Sequence, residues 1–194
     1  MRILQLNGRR EHDVLKGLAA GVVSGLAAAW VMNQFQALWG KLTEGAERPH
    51  GAQSLQQGSP EHGIGRELKE RGSDDGEDNA AVRTANAVAE LVFNHKLSES
   101  EKEIGGEIAH YAMGAISSAI YGVASEFVPA STVGLGLPYG AAVWAIADEG
   151  LVPALGLSKP ATEIPMNTHV YALASHLVFG LTTEVVRRAT RAVM

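Results

Sequence analysis

The sequence contains no cysteine, which excludes disulfide bonds, thiolate metal sites and cysteine nucleophiles. Aromatic residues make up only 6% of its 194 residues, and no basic stripe with interleaved aromatics is present. A formal net charge of −5 therefore argues against a nucleic-acid partner, which would require clustered lysine and arginine. Phosphate loops and nucleophile elbows are also missing, since GLGLPYG has no following lysine and the serines lie in helical patterns. No catalytic motif remains, and we predict that the chain is not an enzyme.

Polar and apolar residues instead alternate in long blocks. Most acidic residues fall within 40–104, whereas the flanking parts are rich in glycine, alanine, valine and leucine. This pattern predicts four membrane-spanning helices. Their approximate bounds are 14–39, 105–128, 133–157 and 169–186.

We therefore predict an all-α fold, a four-helix transmembrane bundle that forms one membrane domain over 1–194. An extramembrane helical segment, 40–104, joins the first two helices. A soluble helical bundle rich in alanine and glycine is the alternative. The small residues LAAA at 26–29 also leave a cleaved secretory signal open for the first segment.

Basic residues at the two ends of the chain predict the orientation. Arginines and lysine precede or begin the first helix, and arginines follow the fourth: Arg2, Arg9, Arg10, Lys16, Arg187, Arg188 and Arg191. By the positive-inside rule both termini are cytoplasmic, and 40–104 lies on the other side as a loop or lid. Within this lid Asn79 is suited to cap a helix whose apolar stripe comprises Ala81, Ala85, Val88 and Val92.

Small residues recur at intervals of four in three of the apolar segments. They are Gly17, Gly21 and Gly25, then Gly114, Ser118 and Gly122, and finally Gly136 and Gly140. Such stripes allow close approach of helix backbones. We predict that they pack helices within the chain, with association with another membrane protein or a second copy as the alternative.

The predicted topology places several polar residues in the outer half of the bundle. These are Asn33, Glu107, His110, Asp148, Glu149, His169 and His176, which come from all four helices. Since acids inside a membrane are costly, we expect Asp148 and Glu149 to find partners on the other helices. Gly150 and Pro153 predict that the third helix loosens beside these acids. At the inner end, Glu126 and Glu184 are interpreted as anchors for Arg187 or Arg188.

Four interpretations of the polar cluster follow from its residue types. Glu107 and His110 form a Glu-x-x-His pair, which with His176 has the ligand types of a metal site. Haem held by His110 and His176 is a second interpretation. A proton- or cation-linked site is the third, and a structural cluster of interhelical hydrogen bonds is the fourth.

Three segments, AHYAMGAISSAIYGVASEFVP, GLPYGAAVWAIADEGLVPALGL and ASHLVFGLTTEVVRR, resemble the YagU-type family of bacterial inner-membrane proteins. Matching positions include His110, Glu126, Pro153, His176 and Glu184, whereas Glu107, Glu149 and His169 do not match. The resemblance implies four spans in a bacterial inner membrane and a link to acid tolerance. It implies no reaction, cofactor or catalytic residue, and the expected partners are the bilayer and other membrane proteins or a homo-oligomer.

Overall fold

The computed structural model describes residues 13–42, 63–72 and 78–194. The N-terminal arginines and much of the expected lid lie outside these described residues. Helices dominate the described part of the chain, which contains no strand. The helices are α1 (Val14–Leu42), α2 (Gly63–Glu70), α3 (Ala80–Phe93), α4 (Glu99–Phe127), α5 (Leu137–Val143), α6 (Val152–Ala154) and α7 (Met166–Val193). A π-helical segment, Trp144–Leu151, joins α5 to α6, and short 3-10 turns occupy Pro129–Thr132 and Ala161–Glu163.

Local chemistry explains where these helices begin and end. Asn79 caps α3 as expected, because its side-chain oxygen accepts hydrogen bonds of 3.0 Å from the backbone of Ala81 and Val82. Ser98 and Glu101 form a capping box that starts α4 at residue 99, six residues before the predicted span. The predicted stripe on α3 is only partly buried, since Val88 and Val92 are exposed.

The third predicted segment is not one continuous α-helix. Residues Gly134, Leu135 and Gly136 have positive φ values, so helix α5 begins only at Leu137. The chain then passes into the π-helical segment and the single turn of α6. The sequence signal from Gly150 and Pro153 indicated such a break, although its helix type was not predicted.

Glycine stripes hold the bundle together. A Cβ on Gly21 would overlap the backbone of Ser118 and Ala119, and one on Gly122 would overlap the backbone of Gly17. Helices α1 and α4 therefore pack antiparallel at backbone contact. Gly140 is packed in the same way against the backbone of His176 and Gly180, which joins α5 to α7. All three stripes are used within the chain, as predicted.

The surface of the bundle carries many large apolar side chains. Ile108, Ile116 and Ile120 on α4 are each at least 59% exposed, and Trp30 on α1 is 56% exposed. Among the described helices, only α1 is both long enough and apolar enough to cross a membrane. One such helix near the N-terminus is weak evidence, because core helices and signal sequences share these properties. The all-α fold is thus confirmed, whereas four transmembrane helices are not.

Candidate functional site: a layer of carboxylates and histidines

The π-helical segment explains how the adjacent residues Asp148 and Glu149 can both contact helix α7. Pro153 has no backbone N–H, so the i to i−4 hydrogen bond that it would make in an α-helix is lost. Val152 donates to Ala147, five residues back, and the wider winding covers Asp148 and Glu149. Such π-helical insertions are frequent at functional sites.

Asp148 lies beside His176 of α7. Its carboxylate oxygen is 3.6 Å from His176 Nδ1, and the two side chains are only 15% and 10% exposed. His176 Nδ1 also lies 2.9 Å from the carbonyl oxygen of Ala172. Because a carbonyl only accepts, Nδ1 carries the hydrogen in this bond.

Glu149 reaches the other histidine of α7. His169 Nδ1 is 2.6 Å from the Glu149 carboxylate, and His169 Nε2 is 3.0 Å from the carbonyl oxygen of Ala161. A carbonyl oxygen only accepts, so Nε2 carries a hydrogen in its contact with Ala161. The short contact of Nδ1 is a hydrogen bond between the imidazole and the Glu149 carboxylate.

Asn33 and His110 lie at the same level of the bundle. A Cβ on Gly114 would be 3.3 Å from Ala29 Cβ, and one turn further outward from this contact are Asn33 on α1 and His110 on α4. His110 is near enough to His176 for the two rings to interact electrostatically. The expected convergence of helices on one polar layer is therefore present for these residues.

This layer contains more buried hydrogen-bonding atoms than the protein satisfies. Within the described residues, two of its buried side-chain atoms have no hydrogen-bond partner: Asn33 Oδ1 and His110 Nε2. Buried polar atoms are usually paired with protein or with water. The layer therefore has the chemistry to hold water or a small polar ligand.

Glu107 has an exposed side chain, although it is near enough to His110 to interact with it electrostatically. No group of three or more histidine, aspartate or glutamate side chains in the described ranges could hold a metal ion. The predicted metal trio of Glu107, His110 and His176 is accordingly not assembled. Helical spacing places Glu107 and His110 on neighbouring positions of α4, but the rotation of that helix turns the carboxylate outward. Haem ligation by His110 and His176 stays a prediction.

A second polar cluster lies at the opposite end of the bundle, which the sequence analysis expected to be the inner end. Glu184 is fully buried and accepts hydrogen bonds from Tyr121, at 2.9 Å, and from Arg187, at 2.7 and 2.9 Å. The expected pairing of Glu184 with Arg188 is also present. Glu126 forms a two-bond ion pair with Arg191 at 2.7 and 2.9 Å, which was not predicted, and it also interacts electrostatically with Arg187, as expected.

Buried hydroxyl groups occupy the space between the two charged layers. Tyr139 Oη lies 3.2 Å from Ser117 Oγ and 3.1 Å from Ser118 Oγ, which is 3.4 Å from Thr183 Oγ1. The rings of Tyr121 and Tyr139 stack with centroids 4.2 Å apart. Sequence reasoning did not identify Tyr121 or Tyr139, although tyrosine within an apolar helix is a signal for a buried hydroxyl that needs a partner.

Helices α2 and α3 attach to the chain just beyond the π-helical segment. The buried Arg83 of α3 donates from Nη1 to the carbonyl oxygen of Leu157 at 3.0 Å. The backbone N–H of Ile64 in α2 donates to Leu155 at 3.0 Å. The part of the expected lid that the structure describes is therefore fixed to the end of the segment that carries Asp148 and Glu149.

Comparison with known proteins yields a family but no activity. No curated protein and no solved structure matches the chain. A family profile described as a protein of unknown function, DUF1440, matches residues 85–185. This range covers α4, α5, the π-helical segment and most of α7, and so includes both carboxylate and histidine pairs. The chain belongs to the DUF1440 family.

Proposed function

We propose that the chain is a non-enzymatic, four-span protein of a bacterial inner membrane whose carboxylate and histidine pairs bind protons from the outer side. Both termini are cytoplasmic in this proposal. The role fits the acid tolerance that the YagU-type resemblance implies. The observation that carries the proposal is the Asp148–His176 pair, held 3.6 Å apart inside an apolar bundle.

The distribution of polar groups supports placement in a membrane. The bundle presents isoleucine and other large apolar side chains outward, while Glu184, Arg187 and the hydroxyl groups of Ser118 and Thr183 are buried. A soluble bundle normally exposes its charged residues and buries its large apolar ones. In lipid, unlike in water, exposed apolar side chains carry no free-energy cost, whereas exposed charges do.

Proton binding is the chemistry that these pairs support best. Histidine is the side chain whose unperturbed charge change falls between pH 5 and 8, and a nearby carboxylate favours its charged form. The imidazole of His169 is hydrogen-bonded to the Glu149 carboxylate at 2.6 Å, which gives this pair a position for such a proton. Intramembrane acids and histidines are usual members of proton-linked sites.

The test is a histidine titration by nuclear magnetic resonance of ¹⁵N-labelled protein in lipid nanodiscs, with the His176 signal assigned from His176→Gln. We expect a smaller fraction of protonated His176 in Asp148→Asn than in the parent chain at the same acidic pH, because the amide does not attract an imidazolium. Glu103→Gln is the matched control, since Glu103 is an exposed acid of the same helix and belongs to neither pair. An unchanged His176 titration in Asp148→Asn would contradict the proposal.

The second candidate is a structural or accessory subunit of a membrane complex. In such a subunit the polar layer would only hold the helices together through hydrogen bonds. The buried hydroxyl groups between the charged layers favour this role. The glycine stripes do not provide its docking surface, because they are already in contact within the chain. In that case Asp148→Asn would lower stability without changing the titration of His176.

A further inference from the structure

An apolar groove of about 590 Å³ runs between α3 and α4, away from both charged layers. Small residues from the two helices line it, including Ala85, Ala89, Gly105, Ala109 and Ala112. Larger apolar side chains, including Phe93, Ile108, Met113 and Ile116, also line it. The helices touch where Ala85 meets Gly105, and the alanines beyond this contact leave an open trough.

The groove offers almost no hydrogen bond to an occupant. Thr84 and His95 are the residues of its lining with polar side chains. Thr84 Oγ1 donates to the carbonyl oxygen of Ala80 at 2.7 Å, and His95 Nε2 is 3.3 Å from the Glu101 carboxylate. Both groups thus have partners, and an occupant of this groove must be apolar.

The dimensions of the groove suit a hydrocarbon chain. Along α4 it extends from Gly105 to Ile116, which is roughly 16 Å at 1.5 Å per residue. A volume of about 590 Å³ over that length accommodates a single hydrocarbon chain.

The position of the groove identifies the source of that chain. Its inner end at Ile116 continues into the exposed apolar surface around Ile120, which faces lipid in the proposed membrane placement. Its outer end lies at His95 and Leu97, next to the exposed Lys96. The ammonium group of Lys96 can attract the phosphate of a lipid headgroup, and the Glu101 carboxylate at the same end is already bonded to His95.

We propose that the groove between α3 and α4 binds one acyl chain of a membrane phospholipid, with the headgroup beside Lys96. This inference rests on the membrane placement in the proposed function. It assigns α3 a role as one wall of a lipid site, in addition to its attachment to Leu157 through Arg83.

Photolabelling tests this site with the full chain in vesicles of phosphatidylethanolamine and phosphatidylglycerol that carry a minor fraction of a phospholipid with a diazirine on its acyl chain. Mass spectrometry of peptides compares labelling around Ala109 and Ala112 with labelling around Ile120 of the same helix. We expect several-fold stronger labelling in the groove. Ala112→Phe, which fills the groove at an exposed position, should remove this excess, whereas Ala142→Phe on the exposed surface of α5 should retain it.

Equal labelling at both places in the parent chain would overturn the lipid site and leave the membrane placement intact. Native mass spectrometry adds an independent readout, because the parent chain should retain a phospholipid that Ala112→Phe loses. A dimer that Ala112→Phe dissociates would overturn the proposal by showing that a second copy occupies the groove. No labelling at either place would overturn the membrane placement, and the lipid site with it.

Discussion

The phenol of Tyr121 donates a hydrogen bond of 2.9 Å to the carboxylate of Glu184, which has no exposed surface. The guanidinium of Arg187 bonds the same carboxylate through two nitrogens and lies 5.9 Å from the centre of the Tyr121 ring. Each of the three groups thus partners the other two. Removing one member leaves the others buried without compensation, which costs more than the net free energy of the intact bonds.

We expect Glu184→Gln to lower the free energy of unfolding by roughly 3 kcal/mol, because it leaves the Arg187 cation facing a neutral amide. Tyr121→Phe should cost about 1–3 kcal/mol, since it removes one donor and leaves the charges paired. Denaturant unfolding of the purified protein in detergent micelles measures both changes. The matched control is Glu126→Gln, whose partner Arg191 is 24% exposed and can be solvated. A loss in Glu184→Gln no greater than in this control would contradict the assignment.

The glycine stripe of α1 provides a second prediction with an internal control. Gly21→Ala would place a Cβ against the backbone of Ser118 and Ala119, so we expect a loss of about 1–3 kcal/mol in stability from overpacking. Gly40 lies in the same helix, and a Cβ there would have no atom within 4 Å. Gly40→Ala should therefore be neutral or stabilising by roughly 0.5–1 kcal/mol. The same unfolding measurement compares the two, and equal effects would contradict backbone contact at Gly21.

The sequence predicted the long helices α1, α4 and α7 and the meeting of Asp148 with His176, because helix spacing and chain direction determine how deep each residue lies in the bundle. Depth alone does not fix the rotation of a helix about its axis. Glu107 shows this limit, because it lies at the expected level of α4 but faces outward. The distinct partners of Asp148 and Glu149 depend on the π-helical winding, which Pro153 indicated only as a break.

The inner cluster was predicted less well for a different reason. Arg191 belongs to a run of basic residues near the C-terminus. A long charged side chain at a helix end usually extends into water, so the sequence pattern did not indicate a partner for it. Its pairing with Glu126 depends on how α4 and α7 lie relative to each other, which no local pattern encodes. Tyr121 was missed because a tyrosine in an apolar helix resembles core packing until its hydroxyl partner is known.

The capping box of α4 predicts a pH dependence. Hydrogen bonds from the Ser98 hydroxyl, from the Ser98 backbone N–H and from His95 lower the pKa of Glu101 from its usual 4.5 to about 2. Because the folded-state pKa is lowered, the stabilisation is fully present above pH 4.5 and is lost as pH falls towards 2. We expect hydrogen exchange of the first turn of α4 to accelerate over this window, after correction for the intrinsic pH dependence of exchange.

Glu101→Gln separates the charge from the hydrogen bonds of the box. Glutamine retains an acceptor for Ser98, so the first turn should stay protected at neutral pH and lose its dependence on acid. Glu103→Gln is the control, because Glu103 lies two residues further on and is not part of the capping box. Retention of the acid dependence in Glu101→Gln, or its loss in Glu103→Gln, would assign the effect to another group.

The absence of cysteine makes the proposed topology directly testable, since every introduced thiol is the only one in the chain. Four exposed positions mark the two ends of the bundle: Lys96 and Lys159 at the end proposed to lie outside, and Ala130 and Met194 at the end proposed to lie inside. With four spans and cytoplasmic termini, a membrane-impermeant maleimide should label Lys96→Cys and Lys159→Cys in intact cells. It should label Ala130→Cys and Met194→Cys only after the membrane is permeabilised. Labelling of Ala130→Cys in intact cells would contradict four spans, and recovery of the chain in the soluble fraction would contradict membrane insertion altogether.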